Sequence, residues 1–223
     1  MNLVGESGAV NPHQLSAHRP TRSRRPLAWV AAGMASLVLV AGCASAADDP
    51  GTAAPGAPAA AAVAGSEADA ILAKLGMSGR SATDVVTGLD QATDRNKDIF
   101  ASVRYDKLVL KDGGTETEVA LPGDKFYLSV APYVNQTHDC FYHSLTTCTG
   151  ELAGQDVDVK IVDSAGKTLV EGPQKIYANG FVGFWLPRDI KGTITVTQAG
   201  RTATSAISTD KEAATCLATL KLT

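Results

Sequence analysis

"FASVRYDKLVL" (Phe100–Leu110) is where the spacing of apolar residues changes along the chain. Upstream, "SEADAILAKLGMSG" (Ser66–Gly79) and "SATDVVTGLDQATD" (Ser81–Asp94) repeat apolar residues three and four apart. Ile71, Leu72 and Leu75 form one stripe, and Val85, Val86 and Leu89 the other. Ser66 suits the first N-cap, Ser81 or Thr83 the second, and Gly76 stops the first helix. Helices this short are marginal alone, so the pair must dock. From Phe100 onward the period is two. "TETEVAL", "KFYLSVAPYV", "VDVKIVD", "TLV", "QKIYA", "FVGFWLP", "GTITVTQ" and "RTATSAIS" are rich in Val, Thr, Ile and aromatics, and turns such as "KDGG", "SAGK", "NG" and "AG" separate them. The pattern predicts a mainly β fold of the α+β kind: an antiparallel β-sandwich or open barrel of seven to nine strands, preceded by a short α-helical hairpin. Leu217, Leu220 and Leu222 suit a last strand that carries Cys216 beside the core.

Residues 1–42 are excluded from that fold. Arg19, Arg22, Arg24 and Arg25 precede an apolar run from Leu27 to Val40, which is shorter than the ~18–20 residues of a spanning helix and has the form of an export signal. The run ends in "LVAGC", which resembles a lipobox, so Cys43 is the expected lipidation site and first residue of the mature chain. Acyl chains there would anchor the protein on the outer side of the membrane. Residues 43–65, "CASAADDPGTAAPGAPAAAAVAG", are an Ala/Pro/Gly tether with too little apolar surface to fold. Residues 66–98 form the helical segment and 99–223 the β domain. Without residues 1–42 the chain carries 16 basic and 22 acidic side chains, a formal charge of −6. Such a domain offers no basic face for phosphates, and nucleic acid is not an expected partner.

The chemistry is concentrated in "HDCFYHSLTTC" (His138–Cys148), which holds two of the four cysteines and two of the four histidines. With Cys43 lipidated, Cys140, Cys148 and Cys216 remain. An odd number is unusual for an exported domain that uses cysteine only for structure. One reading is a Cys140–Cys148 disulfide, worth about 2.5 kcal/mol for so short a loop, with Cys216 a buried, inert residue. That leaves the histidines idle. The other is a soft-metal site: thiolates favour Cu(I) and Zn, and imidazole suits Cu and Zn. Cys140 and Cys148 would then be joined by Cys216, with a nitrogen from His138 or His143. Met77 is the only methionine beyond the signal, so thiolate must dominate. No GxSxG motif is present, and Glu151 has no evident catalytic partner.

"HDCFYHSLTTCTGEL" (His138–Leu152), "GFVGFWLPRDIKGTITV" (Gly180–Val196) and "TCLATLKLT" (Thr215–Thr223) closely resemble the CueP-like family of exported bacterial copper-binding proteins. The resemblance runs from about Ser66 to Thr223. It implies a protein that binds copper outside the cytoplasm, contributes to copper tolerance and passes the metal on, for example to a copper-zinc superoxide dismutase. It maps the family's site cysteines onto Cys140, Cys148 and Cys216 and the loop histidines onto His138 and His143, and its relatives suggest a homodimer.

Two function classes follow. The first is an extracytoplasmic, lipid-anchored carrier that sequesters or hands on Cu(I), with Cu(II) as a second oxidation state and zinc as a competing ion. The second is a thiol redox protein using Cys140 and Cys148 for Cu(II) reduction or disulfide exchange. The carrier requires the lone sulfur of Cys216 beside the other two, whereas a purely structural module predicts a closed Cys140–Cys148 pair indifferent to copper.

Overall fold

The computed structural model describes residues 65–223. The signal segment, Cys43 and the tether to residue 64 lie outside the described residues, and so does the side chain of Ser66. Helix α1 (Gly65–Lys74) buries Ala68, Ile71 and Leu72, and Gly76, at φ +70°, follows it in the left-handed region. Helix α2 (Ala82–Gln91) is capped by Ser81, whose Oγ accepts from the Asp84 N–H at 3.2 Å. It buries Val85, Val86 and Leu89 as the spacing predicts, and also Asp90, which is fully buried on the same stripe.

Among the described residues ten strands follow in three sheets. The first is the meander β1 (Ile99–Val103), β2 (Lys107–Asp112) and β3 (Thr115–Ala120). Its inner face carries Ile99, Ala101, Val103, Leu108, Leu110 and Val119, which pack with both helices into one core. The second sheet has the order β10–β4–β7, from β4 (Lys125–Val130), β7 (Val182–Pro187) and β10 (Cys216–Leu217). The third has the order β6–β5–β8–β9, from β5 (Asp156–Asp163), β6 (Thr168–Lys175), β8 (Lys191–Gln198) and β9 (Arg201–Ser208). The last two strands join through Ala199 and Gly200, both at positive φ, a two-residue hairpin of the kind "AG" predicts.

Alternation along β4 and β7 places the second sheet between two cores. Phe126, Leu128, Val130, Val182, Phe184 and Leu186 face the third sheet and pack against Val157, Val159, Ile161, Ile194 and Val196. Their neighbours Tyr127 and Trp185 face the helices, with ring centroids 4.8 Å apart, and the Trp185 indole N–H donates to Thr87 Oγ1 at 3.0 Å. Among the described residues the fold is thus mostly β, with a sandwich, two short helices and no closed barrel, as the sequence predicts, though with ten strands in place of seven to nine.

Three details differ from the sequence reading. "TLV" and the first two residues of "QKIYA" share one edge strand, β6, where Pro173 sits at an outer position opposite Asp158 and Gly172 takes φ +125°, and Ile176–Ala178 lie beyond it. "NG" closes a tight turn, with Gly180 N–H donating to Tyr177 O at 3.0 Å and Tyr177 N–H to Phe181 O at 2.7 Å, but it joins no hairpin of paired strands, because β6 and β7 belong to different sheets. The last strand is only two residues long and runs parallel to β4, pairing Cys216 with Ser129 and Leu217 with Val130. Backbone bonds extend that alignment: Ala131 N–H donates to Leu217 O and Tyr133 N–H to Leu220 O, both at 2.9 Å.

Gly183 is where the packing is tightest. A β-carbon there would lie 1.8 Å from the Tyr127 hydroxyl, so only glycine lets that ring lie across β7. Gly183→Ala is expected to lower stability by about 1–3 kcal/mol through overpacking, read as a lower urea midpoint with an unchanged m-value. An unchanged midpoint would contradict this packing.

Candidate metal centre

The loop after β4 is strapped into place from several sides. Val103 N–H donates to His143 O at 3.0 Å, and Leu145 N–H to Ala101 O at 2.8 Å, so residues 143–145 lie along the edge of β1. On the opposite side, the His143 N–H donates to Thr215 Oγ1 at 3.0 Å, and the Thr215 hydroxyl donates to Val103 O at 2.9 Å. Cys216 N–H donates to Phe141 O at 3.1 Å. Arg95 donates to the Cys148 carbonyl at 2.6 Å. Glu151 anchors the start of the loop: its carboxylate accepts from the N–H groups of Val134 at 2.7 Å and Asn135 at 2.9 Å, and from the Asn135 side chain at 2.7 Å. These bonds hold the Glu151 carboxyl down at about 2.

Cys140 and Cys216 are joined as a disulfide with Cα atoms 5.7 Å apart, and among the described residues Cys148 is the free cysteine. The Cys140–Cys148 disulfide weighed from the sequence is therefore replaced by a Cys140–Cys216 bond. The reason is topological: the parallel strand carries Cys216 directly against the loop, whereas Cys148 is held by its own turn. Cys148 N–H donates to Ser144 O at 3.1 Å, and Ser144 N–H points at Cys148 Sγ at 3.4 Å. Even so, Cys148 Sγ lies only 3.6 Å from Cys140 Sγ. Cys216 is thus no inert core residue, and all three sulfurs share one cluster with Ala131, Phe181 and Ala218.

Both loop histidines join them. A ring nitrogen of His138 lies within 4.8 Å of the sulfurs of Cys140 and Cys148, and one of His143 within 4.8 Å of those of Cys140 and Cys216. His138 Nε2 and His143 Nδ1 are buried with no oxygen or nitrogen partner. A buried imidazole nitrogen left bare is costly unless something else takes it up. Phe181, fully buried, backs both rings, with its centroid 4.4 Å from that of His143 and 6.1 Å from that of His138. The centre opens through a cleft of about 590 Å³ lined by Gln136, His138, Thr147, Cys148 and Glu151. Exposed Phe141 and Tyr142 directly follow Cys140, and the Arg104 guanidinium lies 4.0 Å over the Tyr142 ring.

Behind the cluster lies a polar network that the motif reading missed. His143 Nε2 donates to Asp90 Oδ1 at 2.8 Å, and the Asn179 amide donates to the same oxygen at 2.6 Å. Asp90 Oδ2 accepts from Tyr127 OH at 2.7 Å and from Ser129 Oγ at 3.1 Å. Burial works against the Asp90 carboxylate, but His143 and these donors outweigh it and hold its pKa below the ordinary value. Burial likewise opposes charge on His143, and the adjoining carboxylate overrides it, raising the imidazole to about 9. At Cys148 burial opposes the thiolate, while the His143 hydrogen bond and positive charge, the Ser144 N–H and His138 bring the thiol down to about 7. The disulfide-bonded state therefore pairs an imidazolium with a thiolate near neutral pH. A sequence signal for Asp90 did exist: an acid four residues after Val86 falls on the apolar stripe of α2.

Fold and centre together define a small β protein whose sulfur-rich, imidazole-flanked loop suits a soft metal ion. The family model described as "Periplasmic copper-binding protein CueP" matches residues 84–221, and the chain belongs to that family. The crystal structure entitled "Crystal Structure of S.CueP" is similar at 42% identity and a TM-score of 0.68, covering 73% of this chain and 100% of that one. No match is found among curated proteins. The protein is accordingly a copper-binding protein of a periplasmic family, with copper as its ion and an extracytoplasmic location.

Two pH dependences follow. Alkylation of Cys148 in the disulfide-bonded protein should reach half its maximal rate near pH 7, and His143→Ala should move that midpoint towards the ordinary thiol value of ~8.5; identical midpoints would contradict the pairing. Glu151 titrates below its unfolded value, so its contribution is complete above about pH 4.5 and fades as pH falls towards 2. Urea midpoints of wild type and Glu151→Gln should therefore differ at pH 5 and converge at acid pH.

Proposed function

We propose that the protein is a lipid-anchored copper carrier that sequesters or hands on Cu(I) through the thiolates of Cys140, Cys148 and Cys216, assisted by His138 and His143. The observation that carries this reading is a pair of ligand groups that share Cys140, one with His138 and Cys148 and the other with His143 and Cys216, with His138 Nε2 and His143 Nδ1 both buried and without a nitrogen or oxygen partner. Thiolate is the soft donor that Cu(I) prefers, and imidazole completes a small coordination shell. Because Cys140 and Cys216 are joined here, loading with Cu(I) requires two electrons to free both thiolates. In this reading residues 1–42 direct export, Cys43 is lipidated, and residues 43–65 let the domain reach from the membrane. Copper tolerance, a homodimer and a recipient such as an exported copper-zinc superoxide dismutase are proposed on the family likeness. Zinc remains a competitor that a sulfur-and-imidazole shell would also accept.

The observed disulfide favours one second reading, a thiol-dependent reduction of Cu(II). Written on the pair that is joined, the thiolates of Cys140 and Cys216 each give one electron to one Cu(II). One S–S bond forms and two Cu(I) ions result. Cys148 then stays a thiolate available to hold a product ion.

The test is anaerobic titration of the reduced protein with Cu(I) against a competing chelator, repeated for Cys140→Ser, Cys148→Ser, Cys216→Ser and the triple variant. One Cu(I) per chain is expected in wild type, with each single change weakening binding at least ~10-fold, about 1.4 kcal/mol. The triple variant should retain none. Full binding by the triple variant would contradict the proposal, and tighter retention of Zn(II) than of Cu(I) would replace copper with zinc.

A further inference from the structure

Asp90 is held from three directions. Its two carboxylate oxygens accept from His143, Asn179, Tyr127 and Ser129, and the Asn179 amide also donates to its backbone carbonyl at 2.9 Å. Tyr127 and Ser129 come from β4, Asn179 from the turn between β6 and β7, and Asp90 itself from the last turn of α2. The carboxylate cannot rotate without breaking bonds to at least two elements. The imidazole it holds is equally constrained, with Nε2 fixed by Asp90, one face against Phe181 and the backbone N–H on Thr215. Nδ1 is the one polar atom of the ring left over, buried on the side of the sulfurs with no nitrogen or oxygen partner.

We propose that Asp90 is the positioning residue of the copper centre: it holds the Nε2–H of His143 so that Nδ1, once the ion displaces any proton there, presents its lone pair to the metal. The inference rests on the copper reading above and adds to it a group that touches no metal. A merely structural role accounts poorly for the choice of side chain. The hydroxyls of Tyr127 and Ser129 can each donate or accept, so a neutral asparagine would satisfy the same neighbours. A carboxylate adds negative charge behind the ring. That charge is useful when an imidazole gives electron density to a cation, the arrangement by which outer carboxylates orient ligating histidines and raise their basicity. The helical segment therefore does more than cap the first sheet, since its final turn sets one ligand of the centre.

The experiment compares Cu(I) affinity, by chelator competition on the reduced protein, in wild type, His143→Ala, Asp90→Asn, Asp90→Ala, and each Asp90 change combined with His143→Ala. Asp90→Ala should weaken binding about 10–100-fold, Asp90→Asn by less, and neither should add to the loss caused by His143→Ala. A second readout needs no metal: nitrogen-edited NMR should show a slowly exchanging Nε2–H proton on His143 in wild type that is lost in Asp90→Ala. Wild-type affinity in His143→Ala would remove His143 from the copper reading and this proposal with it. A loss in His143→Ala with wild-type affinity in both Asp90 variants would overturn the positioning role alone, as would a loss in Asp90→Ala that persists on the His143→Ala background. Should Asp90→Ala fail to fold, Asp90→Asn decides: wild-type affinity there overturns the proposal.

Discussion

The centre depends on where the last nine residues run. β10 pairs parallel to β4, next to a strand whose other neighbour is antiparallel, and that alignment sets Cys216 beside Ser129. Two further bonds turn the strand into a clamp on the loop, Cys216 N–H to Phe141 O and His143 N–H to Thr215 Oγ1. The sulfur from residue 216 thereby meets the sulfur from residue 140 across a separation of 76 residues. Leu220 and Leu222, both buried in the sandwich, anchor the tail beyond the cysteine. At about 1.5–3 kcal/mol for each fully buried leucine, that anchorage is comparable to a disulfide's contribution, so the tail need not detach when the disulfide is reduced.

The second constraint is the buried Asp90–His143 pair. Two charges removed from water gain little net stability, yet removing one partner costs about 3–5 kcal/mol because the other is left uncompensated. Such a pair is better understood as fixing geometry than as holding the fold together. Here it fixes the imidazole, and the glycine at 183 is the concession the second sheet makes so that Tyr127 can lie across it and complete the network. Close approach between the backbones of Gly150 and Gly180, where a β-carbon on either would fall 2.2 Å from the other's carbonyl oxygen, brings the end of the metal loop against the Asn179 turn. Packing, polar satisfaction and ligand orientation thus meet on the helix-facing side of one sheet.

Much of this was legible in the chain. The change of period at Phe100, the turn residues and the caps give the helices and most strands, because those signals are local. The Cys/His loop announces its chemistry by composition alone. The disulfide partner was not legible: nearness in sequence favours Cys140 with Cys148, and only the parallel strand, a non-local feature without a turn signature, makes Cys216 the partner. Asp90 escaped because motif reading starts from the metal ligands and stops there, although an acid on an otherwise apolar helical stripe invites the question of what it faces. "NG" misled because an Asn–Gly turn has the same local chemistry whether it closes a hairpin or passes between sheets.

The central claim is that the tail's sulfur, the loop's two sulfurs and the loop imidazoles converge on one soft ion. X-ray absorption at the copper edge of the reduced, Cu(I)-loaded protein tests it most directly. Sulfur should dominate the first shell, the outer scattering of an imidazole should accompany it, and Cys216→Ser should lower the sulfur count. A first shell of nitrogen and oxygen alone, or a sulfur count indifferent to Cys216, would contradict the account.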